Sequence, residues 1–314
     1  MKKLFSKITE SPFIYYGASG MLVLISILFL LSYILDFDNN DPFELTAIVT
    51  STEIDITTQR IPFILVRNNG QKIYPLELLV DVVSNQKNGN GNIKLSGIEP
   101  RRVSLPVPQK HIHQDESVHI HENALEVFIL DVPPLEFPGE WEMSFHDSAN
   151  QIAVLKLEIV ERGSTPRIGE PVPRTSNPTT NSGYSIFDLT TQEDANELLY
   201  KSSILDTLES KRPAVISFST PGYCKSAVCV PVLNTFEAVF RDYSEYIEFI
   251  HIEPYDLDEL RYNGQFEISE PASEWGLQSE PWTFVVDDEG LLAAKFEGIF
   301  DIQELIEVLD DILA

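Results

Sequence analysis

The stretch FSTPGYCKSAVCVP, residues 218–231, contains the only two cysteines of the chain, Cys224 and Cys229. The apolar run PAVISF (213–218) ends where this stretch begins and predicts a buried strand. Residues 227–244 have apolar side chains at helical spacing and predict a helix. The cysteine pair therefore lies at a strand-to-helix turn.

The start of a helix favours a reactive thiol. Its first N–H groups lack partners within the helix, and its dipole places partial positive charge there. Both effects lower the pKa of a nearby thiol and favour the nucleophilic thiolate. We therefore predict that Cys224 attacks and that Cys229 resolves the resulting mixed disulfide.

The four residues between the cysteines set a condition for a disulfide. Residues five apart in a regular helix are separated by about 7.5 Å along its axis, which exceeds the limit of about 7 Å between bridged Cα atoms. Cys224 must therefore lie before the helix, or the first turn must unwind on oxidation. Pro221 and Gly222 favour a non-helical approach to Cys224.

Residues 184–314 alternate between helical and strand patterns. A helical pattern at 191–211 precedes the buried strand, and a second strand pattern at 246–253 follows the second helix. A short helical turn, a hairpin at 282–298 and an amphipathic helix at 301–313 end the chain. This order predicts an α/β fold in which helices cover both faces of a mixed sheet.

Three stretches give this region a more specific resemblance: residues 218–231, FIHIEPY (249–255) and EWGLQSEPWTFVVDDEG (274–290). Together they resemble membrane-anchored bacterial thioredoxin-like proteins, which have an N-terminal β domain, a proline-rich linker and a Cys-x-Ser-x-x-Cys pair. The resemblance covers Tyr184–Ala314 in sequence and the rest of the chain in architecture only. It implies a thioredoxin-like fold and thiol–disulfide exchange with proteins that carry thiols or disulfides.

The resemblance also implies roles around the cysteines. In thioredoxin-like proteins a cis-proline faces the active-site cysteines and helps to orient the substrate, and by position this role falls on Pro281. Glu280 before it, Trp282 after it and Tyr223 beside Cys224 are expected to face the substrate. Trp282 has an alternative interpretation as a residue of the apolar core.

The chain departs from the usual thioredoxin pattern. Tyr223 stands where a tryptophan usually precedes the first cysteine, and four residues instead of two separate the pair. The strand AVISF (214–218) also lacks the buried acid that relays protons in thioredoxins. Glu253 and His251 on the next strand are candidates for this relay, or alternatively a strand-end acid and a packed histidine.

Two other interpretations of the pair stay open. The turn also resembles the TPGC…C turn of bacterioferritin-comigratory-type peroxiredoxins, which implies a thiol peroxidase. In those enzymes a threonine lies three residues before the first cysteine, whereas Thr220 lies four before Cys224, and Arg241 is the candidate for a partner arginine. Alternatively, the pair is a local structural disulfide, although so short a loop gives modest entropic stabilisation.

The N-terminal residues predict a membrane anchor. Residues 12–35 carry no charge and are long enough to span a bilayer as a helix. Residues 1–11 include three lysines, whereas residues 36–44 include no basic residue. The positive-inside rule then predicts a single-pass protein of the cell membrane with its N-terminus in the cytoplasm and its C-terminal domains outside. A cleaved signal peptide is the alternative, but its apolar run would be shorter.

Residues 41–161 predict an all-β domain. They contain seven or eight short apolar runs, many of them alternating, separated by turn signals such as NNGQ and KNGNGN. This pattern favours an antiparallel immunoglobulin-like sandwich. Residues 162–183 are rich in proline and small polar residues, which predicts an extended linker that holds the C-terminal domain away from the sandwich.

The stretch HIHQDESVHIH, from His111 to His121, contains four of the six histidines. Residues i and i+2 of a strand share a face, so a hairpin would place His111 opposite His121 and His113 opposite His119. Neutral imidazoles suit Zn²⁺ or Cu²⁺, which makes a non-catalytic metal-binding or interaction protein the alternative function. If they bind no metal, the histidines form an exposed polar strand face, or one that is sensitive to protonation.

The composition limits the class of partner. The chain has 314 residues, of which 49 are acidic and 22 basic, and a formal net charge of −27. Nucleic-acid binding needs a basic footprint, so this balance argues against it. The cysteine turn, the resemblance and the N-terminal segment, not the composition, lead to the overall prediction. They predict an extracytoplasmic thiol–disulfide oxidoreductase that requires no cofactor, with an N-terminal transmembrane helix, an immunoglobulin-like sandwich and a thioredoxin-like domain at 184–314.

Overall fold

The structure, a computed structural model, describes residues 45–84, 94–112, 118–148, 150–224 and 228–314, without the side chains of residues 107–123. Residues 45–314 belong to one compact unit, which is mostly β-sheet with a few helices. Its first nine strands are β1 (Leu45–Val49), β2 (Arg60–Arg67), β3 (Lys72–Ile73), β4 (Leu79–Ser84), β5 (Lys94–Ile98), β6 (Arg101–Ile112), β7 (Val118–Asp131), β8 (Gly139–Asp147) and β9 (Asn150–Ile159).

Two antiparallel sheets contain these strands. One has the order β1-β2-β7-β6 with β3 beside β2, and the other has the order β5-β4-β8-β9. Alternation along β8 places Trp141, Met143 and Phe145 in the core. Phe63 of β2 lies with its ring centroid 5.3 Å from that of Phe128 and 5.0 Å from that of Phe145. The two sheets therefore pack face to face.

A third sheet is mixed and has the order β11-β10-β12-β13. Strand β10 pairs in parallel with β11 and antiparallel with β12, which pairs antiparallel with β13. The strands are β10 (Ala214–Phe218), β11 (Glu248–Ile252), β12 (Trp282–Val286) and β13 (Leu292–Glu297). The α-helices are α1 (Ile186–Leu189), α2 (Ile204–Glu209), α3 (Cys229–Tyr243), α4 (Glu270–Glu274) and α5 (Ile302–Leu313), with a 3₁₀ helix at Glu197–Tyr200 and a π-helical turn at Glu259–Asn263.

Both faces of the mixed sheet are covered. On one face, Val215 belongs to a core that includes Val232 of α3 and Leu305 of α5. On the other face, Ile216 belongs to a core that includes Trp275. Every residue of β10 is buried, which explains why its sequence lacks polar alternation.

The helix predicted over 191–211 is instead two shorter elements, the 3₁₀ helix and α2. Ser203 separates them, because its hydroxyl accepts the N–H of Asp206 at 3.0 Å and donates to the Asp206 carboxylate at 2.7 Å. This capping box starts a new helix. Local hydrogen bonding therefore overrides the apolar spacing here.

Residues 162–183, predicted to be a separating linker, pack against the mixed sheet. Val172 joins the core around Trp275. Thr175 is 2% exposed and accepts a hydrogen bond from Trp275 Nε1 at 3.0 Å. The segment does not act as a spacer, because its apolar and hydroxyl side chains find partners on the sheet. The domain boundaries themselves stay predictions.

The first sheet also contacts the C-terminal region directly. Val103 of β6 and Val127 of β7 share a core with residues of α3 and α5. Arg60 of β2 donates to the Glu304 carboxylate of α5 at 2.8 Å and to the Ile299 carbonyl at 2.5 Å. The expectation that the linker holds the two regions apart is therefore wrong.

In the part of the chain that the structure describes, no helix is long and apolar enough to cross a membrane. The longest, α3, has 15 residues, whereas about 20 apolar residues are needed to span a bilayer. This finding corrects the predicted fold class, which begins with a transmembrane helix. It also corrects the predicted localisation as a single-pass membrane protein. The predicted anchor at 12–35 and tail at 1–11 lie outside the described residues.

Candidate redox site

Cys224 and Cys229 form a disulfide with an S–S distance of 2.11 Å and Cα atoms 6.0 Å apart. Cys229 is the first residue of α3, and Cys224 lies before the helix. Of the two arrangements that the spacing allows, this is the one in which the helix stays wound. Residues 225–227 between them lie outside the described residues.

The two cysteines differ in exposure. Cys229 is completely buried, whereas Cys224 is partly exposed. The N–H of Cys229, at the start of α3, donates to Cys224 Sγ at 3.3 Å. After reduction this donor would favour a thiolate on Cys224. Cys224 is therefore the more accessible of the two cysteines to an incoming group.

Three segments meet at one edge of the mixed sheet. Strands β10 and β11 run parallel, and Phe218 at the end of β10 pairs with Trp282 at the start of β12. The turn after β10, the residues after β11 and the loop before β12 therefore lie together. In that loop the peptide bond between Glu280 and Pro281 is cis, as the resemblance implies. The N–H of Thr220 donates to Glu280 Oε2 at 2.6 Å.

The residues expected to face a substrate are not equally accessible. Tyr223 is 40% exposed, and Glu280 is partly exposed. Trp282 is 3% exposed and stacks on Phe284 with ring centroids 5.5 Å apart. The expectation that Trp282 faces a substrate is corrected, because its ring lies in the core. Pro281 is buried as well, and its role toward a substrate stays a prediction.

A buried carboxylate lies beside this edge. Glu253 follows β11 and is 5% exposed. Its Oε1 accepts the N–H of Thr191 at 2.6 Å and the hydroxyls of Thr191 and Thr190 at 2.8 and 3.1 Å. Burial raises the pKa of Glu253 to about 7, although these hydrogen bonds oppose the shift. The carboxyl group can therefore exchange a proton near neutral pH.

Thr191 connects Glu253 to the cysteine turn. Its hydroxyl donates to Glu253 and accepts the N–H of Gly222 at 2.9 Å. A Cβ atom at Gly222 would lie 2.8 Å from the Thr191 Cβ, so the close approach of the two backbones requires glycine. The Thr220 hydroxyl lowers the pKa of Glu253 from nearby, although Thr220 Oγ1 and Glu253 Oε2 do not reach hydrogen-bond geometry.

His251, the other candidate for a proton relay, is a packed histidine and is 2% exposed. Its Nε2 lies 3.0 Å from the Ser219 carbonyl, which can only accept, so Nε2 carries the proton. Its Nδ1 then accepts the Tyr200 hydroxyl at 2.7 Å. Burial lowers the pKa of His251 to about 4, so the ring stays neutral at neutral pH.

A second buried carboxylate, Glu297 at the end of β13, was not found from the sequence. Its Oε1 accepts the hydroxyls of Ser279 at 2.6 Å and Thr52 at 2.7 Å, and its Oε2 accepts the Thr52 N–H at 2.8 Å. Burial raises the pKa of Glu297 against these hydrogen bonds. Thr52 follows β1, so the N-terminal sheets support the loop that carries Pro281. No local pattern links residues this far apart in sequence.

The candidate arginine for a peroxidase site is remote from the cysteines. Arg241 lies exposed in the last turn of α3, about 18 Å along the helix from Cys229. It cannot interact with a peroxide at Cys224 from that position. The expectation of Arg241 as a peroxidatic partner is therefore corrected.

The histidine stretch lies at the ends of β6 and β7. His111 pairs with His119, and His121 pairs with Gln109. The expected pairing of His111 with His121 is wrong by two residues, because the last pair of the ladder is Ile112 with Val118 and not His113 with His119. His113 and all side chains of this stretch lie outside the described residues. Binding of Zn²⁺ or Cu²⁺ here stays a prediction. Within the described part of the chain, no three or more His, Cys, Asp or Glu side chains form a group that could hold a metal ion.

Comparison with known proteins finds no matching family model. A search of curated proteins finds no match either.

The solved structures that are similar to part of the chain include the following two. One is a DsbF homologue from Corynebacterium diphtheriae, with 21% identity and a TM-score of 0.26, and the likeness covers 32% of this chain and 72% of that one. The other is the C-terminal domain of a protein from Bacteroides thetaiotaomicron assigned as a thiol-disulfide oxidoreductase, with 15% identity, a TM-score of 0.31 and coverage of 48% and 98%. With TM-scores this low, neither likeness determines the fold or the reaction of this chain.

Proposed function

We propose that this protein is a thiol–disulfide oxidoreductase that acts on protein partners through Cys224 and Cys229. The observation that supports this function best is the asymmetry of the disulfide. Cys224 is partly exposed and accepts the first N–H of α3, whereas Cys229 is buried. Attack from outside is therefore directed to one sulfur, which is what an exchange reaction requires.

Oxidation of a partner would proceed in two steps. A partner thiolate attacks Cys224 Sγ, the bond to Cys229 Sγ breaks, and Cys229 leaves as a thiolate. A second partner thiolate then attacks the partner sulfur of this mixed disulfide and releases Cys224. The partner loses two electrons and gains a disulfide, and the cysteine pair gains the two electrons.

Reduction of a partner is the same sequence reversed. The Cys224 thiolate attacks a partner disulfide, and the Cys229 thiolate then attacks Cys224 and releases the second partner thiolate. A thiol reductant must then restore the reduced pair. The direction is set by the reduction potential of the pair relative to that of the partner.

The surroundings of the pair serve these steps. A thiol must lose its proton before it attacks as a thiolate, and a released thiolate can regain one. A group with a pKa near the working pH exchanges such protons most effectively. Glu253 has such a pKa and connects through Thr191 to the turn that carries Cys224. The Glu280–Pro281 loop, bonded to Thr220, is proposed to position the partner backbone.

A structural disulfide is the competing interpretation. Closing so short a loop stabilises a protein by about 2 kcal/mol in the chain-entropy model. Such a disulfide has no requirement for one exposed and one buried sulfur. The exposure of Cys224 and its bond to the helix N-terminus therefore favour exchange.

The deciding experiment is the reduction potential of the pair in the full chain. It is measured by equilibration with thiol–disulfide buffers followed by alkylation of the remaining thiols. We expect a value above about −250 mV, since resistant structural disulfides lie below about −300 mV. A value below that limit would refute the proposed function.

Cysteine variants give a second readout. Cys224→Ser should abolish reduction of a model protein disulfide, because the attacking sulfur is lost. Cys229→Ser should accumulate a mixed disulfide on Cys224 that a reductant releases. The double variant is the control and should trap nothing. Full activity in both single variants would contradict the assignment.

A further inference from the structure

A groove of about 710 Å³ lies beside the redox site. Its floor includes the buried residues His251, Ile252 and Glu253. Its walls come from residues 175–178, from α1, from residues 255–258 and from the start of α4. This volume lies within the range of about 300–1,000 Å³ for ligand-binding pockets. The exchange reaction at Cys224 and Cys229 does not itself require this groove.

The groove is lined by carboxylates. They are Asp188, Glu253, Asp256, Asp258, Glu270 and Glu274. All except Glu253 are exposed, so they surround the mouth while Glu253 lies in the floor. Among the described residues no lysine or arginine lines the groove. Arg261 is nearby, but it donates to the carbonyls of Phe187 and Thr190.

Aromatic rings and an unused acceptor accompany these charges. Tyr184 is 50% exposed in the lining, and Tyr255 is partly exposed there. Tyrosine rings attract ammonium and guanidinium groups, and carboxylates bind them through charge-assisted hydrogen bonds. Glu253 Oε2 makes no hydrogen bond among the described residues, but it is buried, so an occupant would contact the exposed carboxylates and not this atom. A cationic occupant with N–H donors fits this lining, whereas an anionic one is repelled.

The groove reaches the redox edge at two points. Glu253 in the floor binds Thr191, which also binds Gly222 of the cysteine turn. Tyr255 in the wall follows β11, whose last residue Ile252 pairs with Phe218 at the end of β10, so Tyr255 lies at the same end of the sheet as the cysteine turn. A chain segment in the groove would therefore lie next to the turn that carries Cys224.

We propose that the groove binds an extended segment, rich in lysine or arginine, of the protein whose thiol or disulfide reacts at Cys224. This inference rests on the proposed function and adds the class of substrate: proteins with basic residues close to the reacting cysteine. The carboxylates at the mouth bind the cationic groups. The tyrosine rings contact the aliphatic parts of the same side chains.

Asp258 and Glu270 are the carboxylates best suited to a test. Asp258 makes no side-chain capping bond to the turn that it precedes, and Glu270 lies exposed in the first turn of α4. Asp256 and Glu274, in contrast, bond to neighbouring backbone or side chains. Replacing the first two as Asp258→Asn/Glu270→Gln removes charge with little effect on the fold.

The experiment measures binding of a cysteine-free peptide to the oxidised full chain by calorimetry. The probe is a twelve-residue peptide in which arginines alternate with alanine and glycine, and its counterpart carries glutamates in their place. We expect the basic peptide to bind and the acidic peptide not to bind. Asp258→Asn/Glu270→Gln would remove two exposed ion pairs with the basic peptide. We therefore expect the affinity of this variant for the basic peptide to be roughly fivefold lower. High salt should weaken the binding further.

The matched control is Asp288→Asn/Glu289→Gln. Both residues are exposed in the turn between β12 and β13, at the end of the sheet away from the cysteines, and the change in net charge is the same. The control should bind the basic peptide as the unmodified protein does. Equal weakening in both double variants, or no binding of the basic peptide, would overturn the proposal.

The two proposals fail in different ways. The peptide contains no cysteine, so its binding is independent of thiol chemistry. Peptide binding with an inert disulfide would leave the groove assignment standing and refute the exchange function. Rapid exchange without peptide binding would support the exchange function and refute the groove assignment. If both hold, a disulfide-linked substrate with basic flanks should show a lower KM than one with neutral flanks, and Asp258→Asn/Glu270→Gln should reduce that preference.

Discussion

The backbone N–H of Thr220 donates to Glu280 Oε2 at 2.6 Å. Thr220 belongs to the turn that carries Cys224, and Glu280 immediately precedes Pro281. One charge-assisted hydrogen bond, a class stronger than neutral pairs, therefore joins the cysteine turn to the proline loop. The two parts of the site are held by this bond as well as by the pairing of β10 with β12.

Glu280→Ala should destabilise the protein, because the buried N–H of Thr220 loses its acceptor. We expect a decrease of about 1–2 kcal/mol in the free energy of unfolding, since Glu280 is partly exposed. Urea unfolding of the oxidised protein measures it. Glu289→Ala, at an exposed turn position, is the control and should stay within about 0.5 kcal/mol. An equal loss in both variants would show that the bond to Thr220 contributes nothing.

Glu253 should give the stability a particular pH dependence. Its pKa is about 7 in the folded protein and 4.5 in its ordinary state. Between these values the folded state binds more protons than the unfolded state, so stability decreases as the pH rises. The stabilisation that the protonated Glu253 side chain gives the folded state is fully present below about pH 4.5 and lost above about pH 7. A pKa shift of this size corresponds to a change of about 3 kcal/mol in the free energy of unfolding between these pH limits.

The matched variant Glu253→Gln isolates this contribution. Other buried acids, such as Glu304, have lowered pKa values and the opposite slope, but they are shared by both proteins and cancel in the difference. The free energy of unfolding, measured at several pH values from 4.5 to 8.5, should favour the variant increasingly up to about pH 7 and by a constant amount above it. A constant difference across this range would exclude titration of Glu253 near pH 7.

Thr52→Ala tests whether the N-terminal sheets support the proline loop. The change removes the hydroxyl that donates to Glu297 Oε1, the oxygen that Ser279 also uses. We expect a loss of about 1 kcal/mol in unfolding free energy and slower exchange with a protein disulfide. Thr52→Ser keeps the hydroxyl and should behave as the unmodified protein does. Equal behaviour of the two variants in both assays would mean that the hydroxyl does not support the loop.

The strands and the cysteine turn could be predicted because their determinants are local. Alternation marks β8, where Trp141, Met143 and Phe145 face the core. The unbroken apolar run of β10 marks a strand buried on both faces. The short spacer between Cys224 and Cys229 required the first cysteine to precede the helix if the helix stayed wound, and it does.

The features that escaped prediction depend on how side chains pack in three dimensions or on partners distant in sequence. Trp282 lies next to Pro281 in sequence, but its ring direction is set by Phe284 and by Ser279, which accepts its N–H at 3.1 Å. The support from Thr52 comes from the opposite end of the described chain. The register of the histidine strands depends on the length of a connection that the spacing of the histidines does not define.

Arg60→Leu should cause a large loss of stability. The side chains of Arg60 and Glu304 are 14% and 7% exposed, and their charged groups are 2.8 Å apart. Although burial opposes it, Arg60 helps to hold the pKa of Glu304 below its ordinary value. Removing one partner of a buried ion pair leaves the other charge without compensation. We expect a loss of about 3 kcal/mol in unfolding free energy, lessened by Arg101, which also contacts Glu304 at 3.0 Å.

The control for this substitution is Arg174→Leu. Arg174 pairs with Glu209 at 3.1 Å, but their side chains are 59% and 61% exposed, and pairs exposed to this extent contribute about 0–1 kcal/mol. The difference between the two variants should decrease as the pH falls below 4.5, because protonated Glu304 no longer needs a cation. A difference that does not change with pH would assign the effect of Arg60 to packing and to its bond with the Ile299 carbonyl instead of to the ion pair.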